Sequence, residues 1–324
     1  MGLMRLRPGR KSLRIVGILV ALAAAALFLY SCATARVMQK EIDRTPRDPI
    51  TGVVTGTEAI TLHPAPGSDT ATSRTACLMI HGFLSARTDF ADLGERLAQC
   101  GFTVRMMRLP GHGTHAADFA YQPDGALLKA ARQELRALRQ DFDHVDVIGF
   151  SMGGSIATLL ASSEPVDRVV LVAPYYRVTY CWYYVLRPEM WNAALGHVLP
   201  YIIRPTRFIK LNDKSNVGKF FFYGIVPSGG TSQLVALGRE ARRPETLEKI
   251  TCPVLLVHSK GDEAASPKAA RQAFERMASH AKQALWLKRS NHIILWDFDR
   301  EEAKTRIEEF LTAPAPRLES EKRI

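Results

Sequence analysis

Residues 145–162 read VDVIGFSMGGSIATLLAS, and they contain Gly149-Phe150-Ser151-Met152-Gly153, a Gly-x-Ser-x-Gly pattern. An apolar, β-branched run predicts a buried strand, and the small-residue stretch after it predicts a helix over 152–163. Two explanations compete for the glycines. The turn from strand to helix needs room, or it also holds Ser151 outward as a nucleophile. In the second case the helix beginning at Met152 aims its free N–H groups and positive dipole end at the serine oxygen.

The flanking sequence repeats this strand-helix alternation. ACLMIHGF (76–83), FTVRMMRLPGHG (102–113), DRVVLVAP (167–174), CPVLLVHSKGD (252–262) and ALWLKRSNH (284–292) read as strands running into loops. Helical spacing occupies 89–101, 124–142, 267–281 and about 300–312 between and after them. A short strand is also expected around EAITLHPA (58–65). Alternation of this kind predicts an α/β fold with a mostly parallel sheet and helices on both faces. Right-handed crossovers then bring the strands' C-terminal ends to one edge, where ligands bind.

Three groups fall at that edge. A serine hydroxyl needs a base, and His292 directly follows the last strand. The base needs an acid to fix its tautomer; Asp262 ends the strand before it and is preferred to the adjacent Glu263 because it is shorter and nearer the strand end. An oxyanion needs two donors, expected to be the backbone N–H groups of Met152 and of Phe83, in the loop His81-Gly82-Phe83. His81 and His112 read as loop-structuring residues.

HGF (81–83), LPGHG (109–113), GFSMGG (149–154), Gly261-Asp262 with Pro267, and SNH (290–292) together resemble the α/β-hydrolase superfamily. More narrowly they look like small-cap carboxylesterases and monoacylglycerol lipases, over about residues 75–312. The resemblance implies the chain order Ser151, Asp262, His292 for a catalytic triad, with Phe83 and Met152 as oxyanion donors. It implies an ester-hydrolysing enzyme without cofactor or metal. Serine at the elbow speaks against dehalogenase or epoxide hydrolase chemistry, where relatives use aspartate. Thioesterase, peptidase and acyltransferase activities remain within the same class, and a catalytically silent lipid-binding module is the alternative outside it.

Composition agrees with a sizeable core: 324 residues, 47% of them hydrophobic and 23% charged. The net charge of +11 owes five charges to Arg5, Arg7, Arg10, Lys11 and Arg14, and without them is a mild +6. With no zinc-type Cys/His spacing and no phosphate-loop fingerprint, nucleic acid is not an expected partner. Cys77, Cys100, Cys181 and Cys252 have no framework spacing.

The basic cluster leads into an uncharged run, IVGILVALAAAALFLY (15–30), so residues 1–35 read as a leader or membrane anchor. Three fates compete. LYSC (29–32) resembles a bacterial lipobox and predicts lipid on Cys32; Ala33-Thr34-Ala35 offers an ordinary cleavage site; or the segment stays and spans the membrane. In a bacterium all three put the rest outside the cytoplasm. Residues 36–57 are polar, with Pro46 and Pro49, and read as a tether; 58–312 is the hydrolase-like domain and 313–324 a charged tail.

One segment breaks the alternation. Residues 175–223 hold 13 of the 27 aromatics, and an insertion over about 175–245 is expected to cap the active edge. Between 175 and 219 the charge is +5, with Tyr180, Trp182, Tyr183, Tyr184, Trp191, Tyr201 and Phe208 interleaved. Two readings stay open: these rings line the cap and its acyl pocket, or they meet a lipid interface beside basic neighbours.

Overall fold

The computed structural model describes residues 10–64, 72, 74–180 and 188–314. Its strands are β1 (Ile60–Leu62), β2 (Thr75–Ile80), β3 (Thr103–Met106), β4 (His144–Phe150), β5 (Val169–Val172), β6 (Tyr201–Ile203), β7 (Ile225–Pro227), β8 (Val254–Ser259) and β9 (Lys282–Leu287). The α-helices are α1 (Arg10–Arg44), α2 (Leu93–Gln99), α3 (Ala116–Ala120), α4 (Ala126–Asp141), α5 (Met152–Ser163), α6 (Pro188–Leu195), α7 (Ser228–Ala241), α8 (Pro244–Leu247), α9 (Pro267–Arg276) and α10 (Arg300–Thr312).

Seven strands form one sheet in the order β1-β3-β2-β4-β5-β8-β9. Every pairing is parallel except β1 with β3. The inner strands are apolar almost without a break because both faces are covered. Strand alternation divides the core in two. Leu78, Ile80, Val145 and Val147 face α4 and α5, while Cys77, Met79, Ile148 and Phe150 face α2 and α10. α9 stops at Arg276 rather than running to 281, because Met277 turns to extended backbone ahead of β9.

Asp146 is a polar intrusion in this core. It sits on β4, buried, with its Oδ1 unpartnered. Burial pushes its carboxyl up to about 7, with Arg168 pulling the other way. The folded state therefore holds a proton that the unfolded chain releases near 3.8, so the stability from this group is full below that value and is lost as pH rises through about 7. Asp146→Asn is expected to stabilise the protein at pH 8 by on the order of 2 kcal/mol and to change little at pH 4. Thermal melts of both proteins across that range check the crossover; an equal effect at both ends would refute it.

Between β5 and β8 the chain leaves the sheet to form the cap: α6, the antiparallel β6–β7 hairpin, α7 and α8. These elements lie within the chain from the end of β5 to Leu247. The cap's aromatics differ in burial. Tyr175, Tyr176, Phe220 and Tyr223 are buried, whereas Tyr180, Trp191 and Phe208 are exposed. Cys181, Trp182, Tyr183, Tyr184 and Arg187 lie outside the described residues, as does the tail from 315 onward.

The segment 36–57 is not a loose tether. α1 runs unbroken from Arg10 to Arg44, across the boundary expected at residue 35. Its apolar stretch from Ile15 to Leu29 is exposed, and Val37 and Met38 pack against the core. Residues 45–57 then form a turn fastened to the LPGHG loop. Val54 N–H donates to Gly113 O at 2.7 Å, and Arg47 Nη1 donates to Thr114 O at 2.7 Å. Burial of Val53 and Val54 drives this docking.

Candidate active site

β4 ends at Phe150, and Ser151 takes φ 53°, ψ −113°, a conformation side chains rarely adopt, before α5 begins at Met152. The glycines at this turn answer a steric need. A Cβ on Gly149 would lie 2.3 Å from Gly153 O, and one on Gly153 would lie 1.9 Å from Ile80 O. Only glycine lets the helix approach the sheet so closely. The strained corner is held by Ser151 N–H donating to Val172 O at 2.9 Å and Gly154 N–H donating to Ser151 O at 2.9 Å.

His292 and Asp262 are brought to this corner by the loops after β9 and β8. His292 Nε2 lies 2.9 Å from Ser151 Oγ, and its Nδ1 lies 2.8 Å from Asp262 Oδ2. With Nδ1–H donating to the carboxylate, Nε2 is free to accept from the serine hydroxyl. The other carboxylate oxygen, Asp262 Oδ1, accepts the N–H groups of Ala264 and Ala265 at 2.7 and 2.8 Å. Burial by itself would raise the Asp262 carboxyl; His292, His258 and the backbone outweigh it and hold the group below its ordinary value. Glu263, the rival acid, is exposed and pairs instead with Lys210 Nζ at 2.7 Å.

The loop carrying His292 is stitched by two buried carboxylates that the sequence reading did not single out. Asp297 accepts the N–H groups of Asn291, Asn212 and Asp213, which ties the loop to the cap. Asp299 accepts those of Arg289 and Ser290. Their sequence signal is WDFD (296–299), which starts four positions after the histidine.

The opposite wall is the loop from His81 to Phe90. His81 Nδ1–H donates to Gly82 O at 2.9 Å, and Nε2 accepts the Leu109 N–H at 3.1 Å. Burial lowers it to about 4, so it is neutral and structural, as the sequence suggested. His112 is likewise buried and pushed well down, with Nδ1 on Pro110 O. Asp89, also missed in the sequence, accepts Gly82 N–H at 2.8 Å and a bond from Ser85 Oγ. Burial raises Asp89 to about 6.

Phe83 follows Gly82 and shares one cavity with Ser151 and His292. Met152 is the first residue of α5, so its N–H is among those a helix start leaves without an internal partner. The cavity, about 420 Å³, runs under the cap between Phe208, Phe220, Phe222, Leu234 and Val235. Among the described residues no three His, Cys, Asp or Glu side chains cluster as a metal site requires.

The chain resembles known proteins. The family model for serine aminopeptidase, S33, matches residues 71–299. A thermostable monoacylglycerol lipase from Bacillus sp. (strain H-257) is 27% identical over 234 residues, covering 69% of this chain and 84% of the relative. A pimeloyl-[acyl-carrier protein] methyl ester esterase from Neisseria meningitidis is 31% identical over 206 residues, covering 59% and 76%. Among solved structures, one of the metagenome-derived lipolytic enzymes LipS and LipT superposes with a TM-score of 0.68 at 24% identity, covering 80% of this chain and 98% of that one. The strand order, the serine elbow and the extent of the family match agree: the chain belongs to the serine aminopeptidase, S33, family and is a serine hydrolase of the α/β-hydrolase fold.

Proposed function

We propose that the protein hydrolyses carboxylic esters of lipid-like alcohols through Ser151, His292 and Asp262. The observation that carries this is the unbroken contact chain from Ser151 Oγ to His292 to Asp262, at 2.9 and 2.8 Å, opening on a cavity walled by phenylalanine and leucine. Ser151 Oγ attacks the ester carbonyl as its proton passes to His292 Nε2. The N–H groups of Phe83 and Met152 receive the oxyanion. His292 returns the proton to the departing alkoxide, which leaves an acyl-Ser151. Water, deprotonated by His292, attacks the acyl carbonyl and frees the serine. Asp262 holds the imidazole tautomer and stays ionised throughout.

The reading favours esters over peptides because the cavity wall is largely apolar, and the named relatives above are a lipase and an esterase. Full-length protein in detergent should be assayed on a monoacylglycerol, p-nitrophenyl esters, an acyl-CoA and an aminoacyl p-nitroanilide. Ester kcat/KM is expected to exceed that for the anilide by about 100-fold or more. The reverse order would make this a peptidase.

We further propose that α1 stays in the mature protein as an anchor. Among the described residues it is the one helix long and apolar enough to cross a membrane. Tyr30, two residues before Cys32, accepts the Ile203 N–H of the cap on its Oη at 3.3 Å. Intact mass of membrane-extracted protein is expected to include α1; a mature N-terminus at a lipid-modified Cys32 would reject this and support the lipoprotein fate.

A further inference from the structure

The two halves of α1 have different surroundings. The apolar half is exposed, while the last turns are bolted to the cap. The bolt is Glu41, whose Oε1 accepts Gly224 N–H at 2.6 Å. A Cβ on Gly224 would lie 2.2 Å from that oxygen, so a larger residue there would shift the carboxylate from its present place.

From Gly224 the chain leads straight to the catalytic cavity. The four residues Phe221–Gly224 lie as a plank along the loop that carries Phe83. Tyr223 N–H donates to Leu84 O at 3.2 Å, and Phe221 N–H donates to Thr88 Oγ1 at 3.0 Å. Ser85 Oγ lies 3.2 Å from Phe221 O and also donates to Asp89. Asp89 in turn holds the Gly82 N–H, one residue before Phe83. Arg204 braces the same plank, its Nη2 donating to Tyr223 O at 3.0 Å. Its charge acts on both Glu41 and Asp89. Arg204, Phe220, Phe221 and Phe222 form a wall common to the catalytic cavity and to the cleft between α1 and the cap.

We propose that Glu41 is a positioning residue for the hydrolase: by clamping the 221–224 plank from α1, it keeps the 82–90 loop, and with it the Phe83 N–H, in register with Met152. The inference rests on the reading of Phe83 as an oxyanion donor. It gives the inner end of α1 a part in turnover that is separate from any anchoring by its apolar half. A donor displaced by a fraction of an ångström stabilises the tetrahedral intermediate less, without altering how the ester's apolar body binds.

The test uses full-length protein in detergent, with p-nitrophenyl acetate as substrate and a fluorophosphonate to titrate reactive Ser151. Glu41→Ala is expected to lower kcat per titrated site by about tenfold, with KM within about twofold of wild type. Glu41→Gln, whose amide oxygen can still accept the Gly224 N–H, should recover at least half of the lost rate. Gln39→Ala on the exposed side of the same helix is the control; among the described residues its side chain bonds only Asp43. The clamp is refuted if Glu41→Ala keeps its per-site kcat, if its loss appears only as fewer titratable sites, or if Gln does no better than Ala. Failure of the fluorophosphonate to label wild-type Ser151 would instead overturn the proposed chemistry.

Discussion

Ser151→Ala is expected to fold normally and to lose ester hydrolysis by about 10⁴-fold or more. The substitution keeps Cβ, so the positive φ at this corner is no more strained than before. The backbone bonds from Val172 and Gly154 that hold the elbow are untouched. What disappears is one oxygen whose side-chain partner is His292 Nε2. Rates on a p-nitrophenyl ester, measured beside a thermal melt, decide the matter. Residual activity within tenfold of wild type would remove Ser151 from the chemistry, and a collapse of the melt would make it structural.

Asp262→Asn should cost about 10⁴-fold in kcat, while Glu263→Gln should change it by less than about twofold. The contrast follows from the hydrogen bonds. Asp262 Oδ1 is committed to the Ala264 and Ala265 N–H groups, so an asparagine must place its oxygen there. Its amide NH₂ then faces His292 Nδ1, which has to accept rather than donate. The imidazole proton is driven to Nε2, the atom that must take the serine's proton. Glu263 has no such leverage, since its carboxylate pairs with Lys210 in solvent. Parallel kcat measurements on the two variants test this; a larger loss in Glu263→Gln would transfer the role of the acid.

The elbow was readable from sequence because its causes are local: an apolar strand, two flanking glycines and a small-residue helix occupy consecutive positions. The placement of Asp262 and His292 beside Ser151 was readable because parallel strands deliver their ends to one edge, so position after a strand carries spatial meaning. Asp89, Asp297 and Asp299 were not, because any acidic residue can satisfy loop amides and which amides it meets is decided by tertiary packing. The docking of α1 was hidden for a related reason. Residues 36–57 are polar overall, yet Val37 and Met38 pack against the core and Val53 and Val54 are buried. The bond from Glu41 reaches a glycine 183 positions away, beyond any local pattern.

An unbroken α1 of 35 residues is about 52 Å long, and it joins the cap without a hinge. Seated in a bilayer, such a rod would transmit its tilt to the whole catalytic body and hold the cavity at a set height above the lipid. The enzyme would then find substrate by lateral diffusion in a plane, not by collision from bulk solution. Its saturation would follow the mole fraction of ester in the surface. Diluting that ester with inert lipid at constant total ester should slow the anchored protein, and adding buffer to the same vesicles should not.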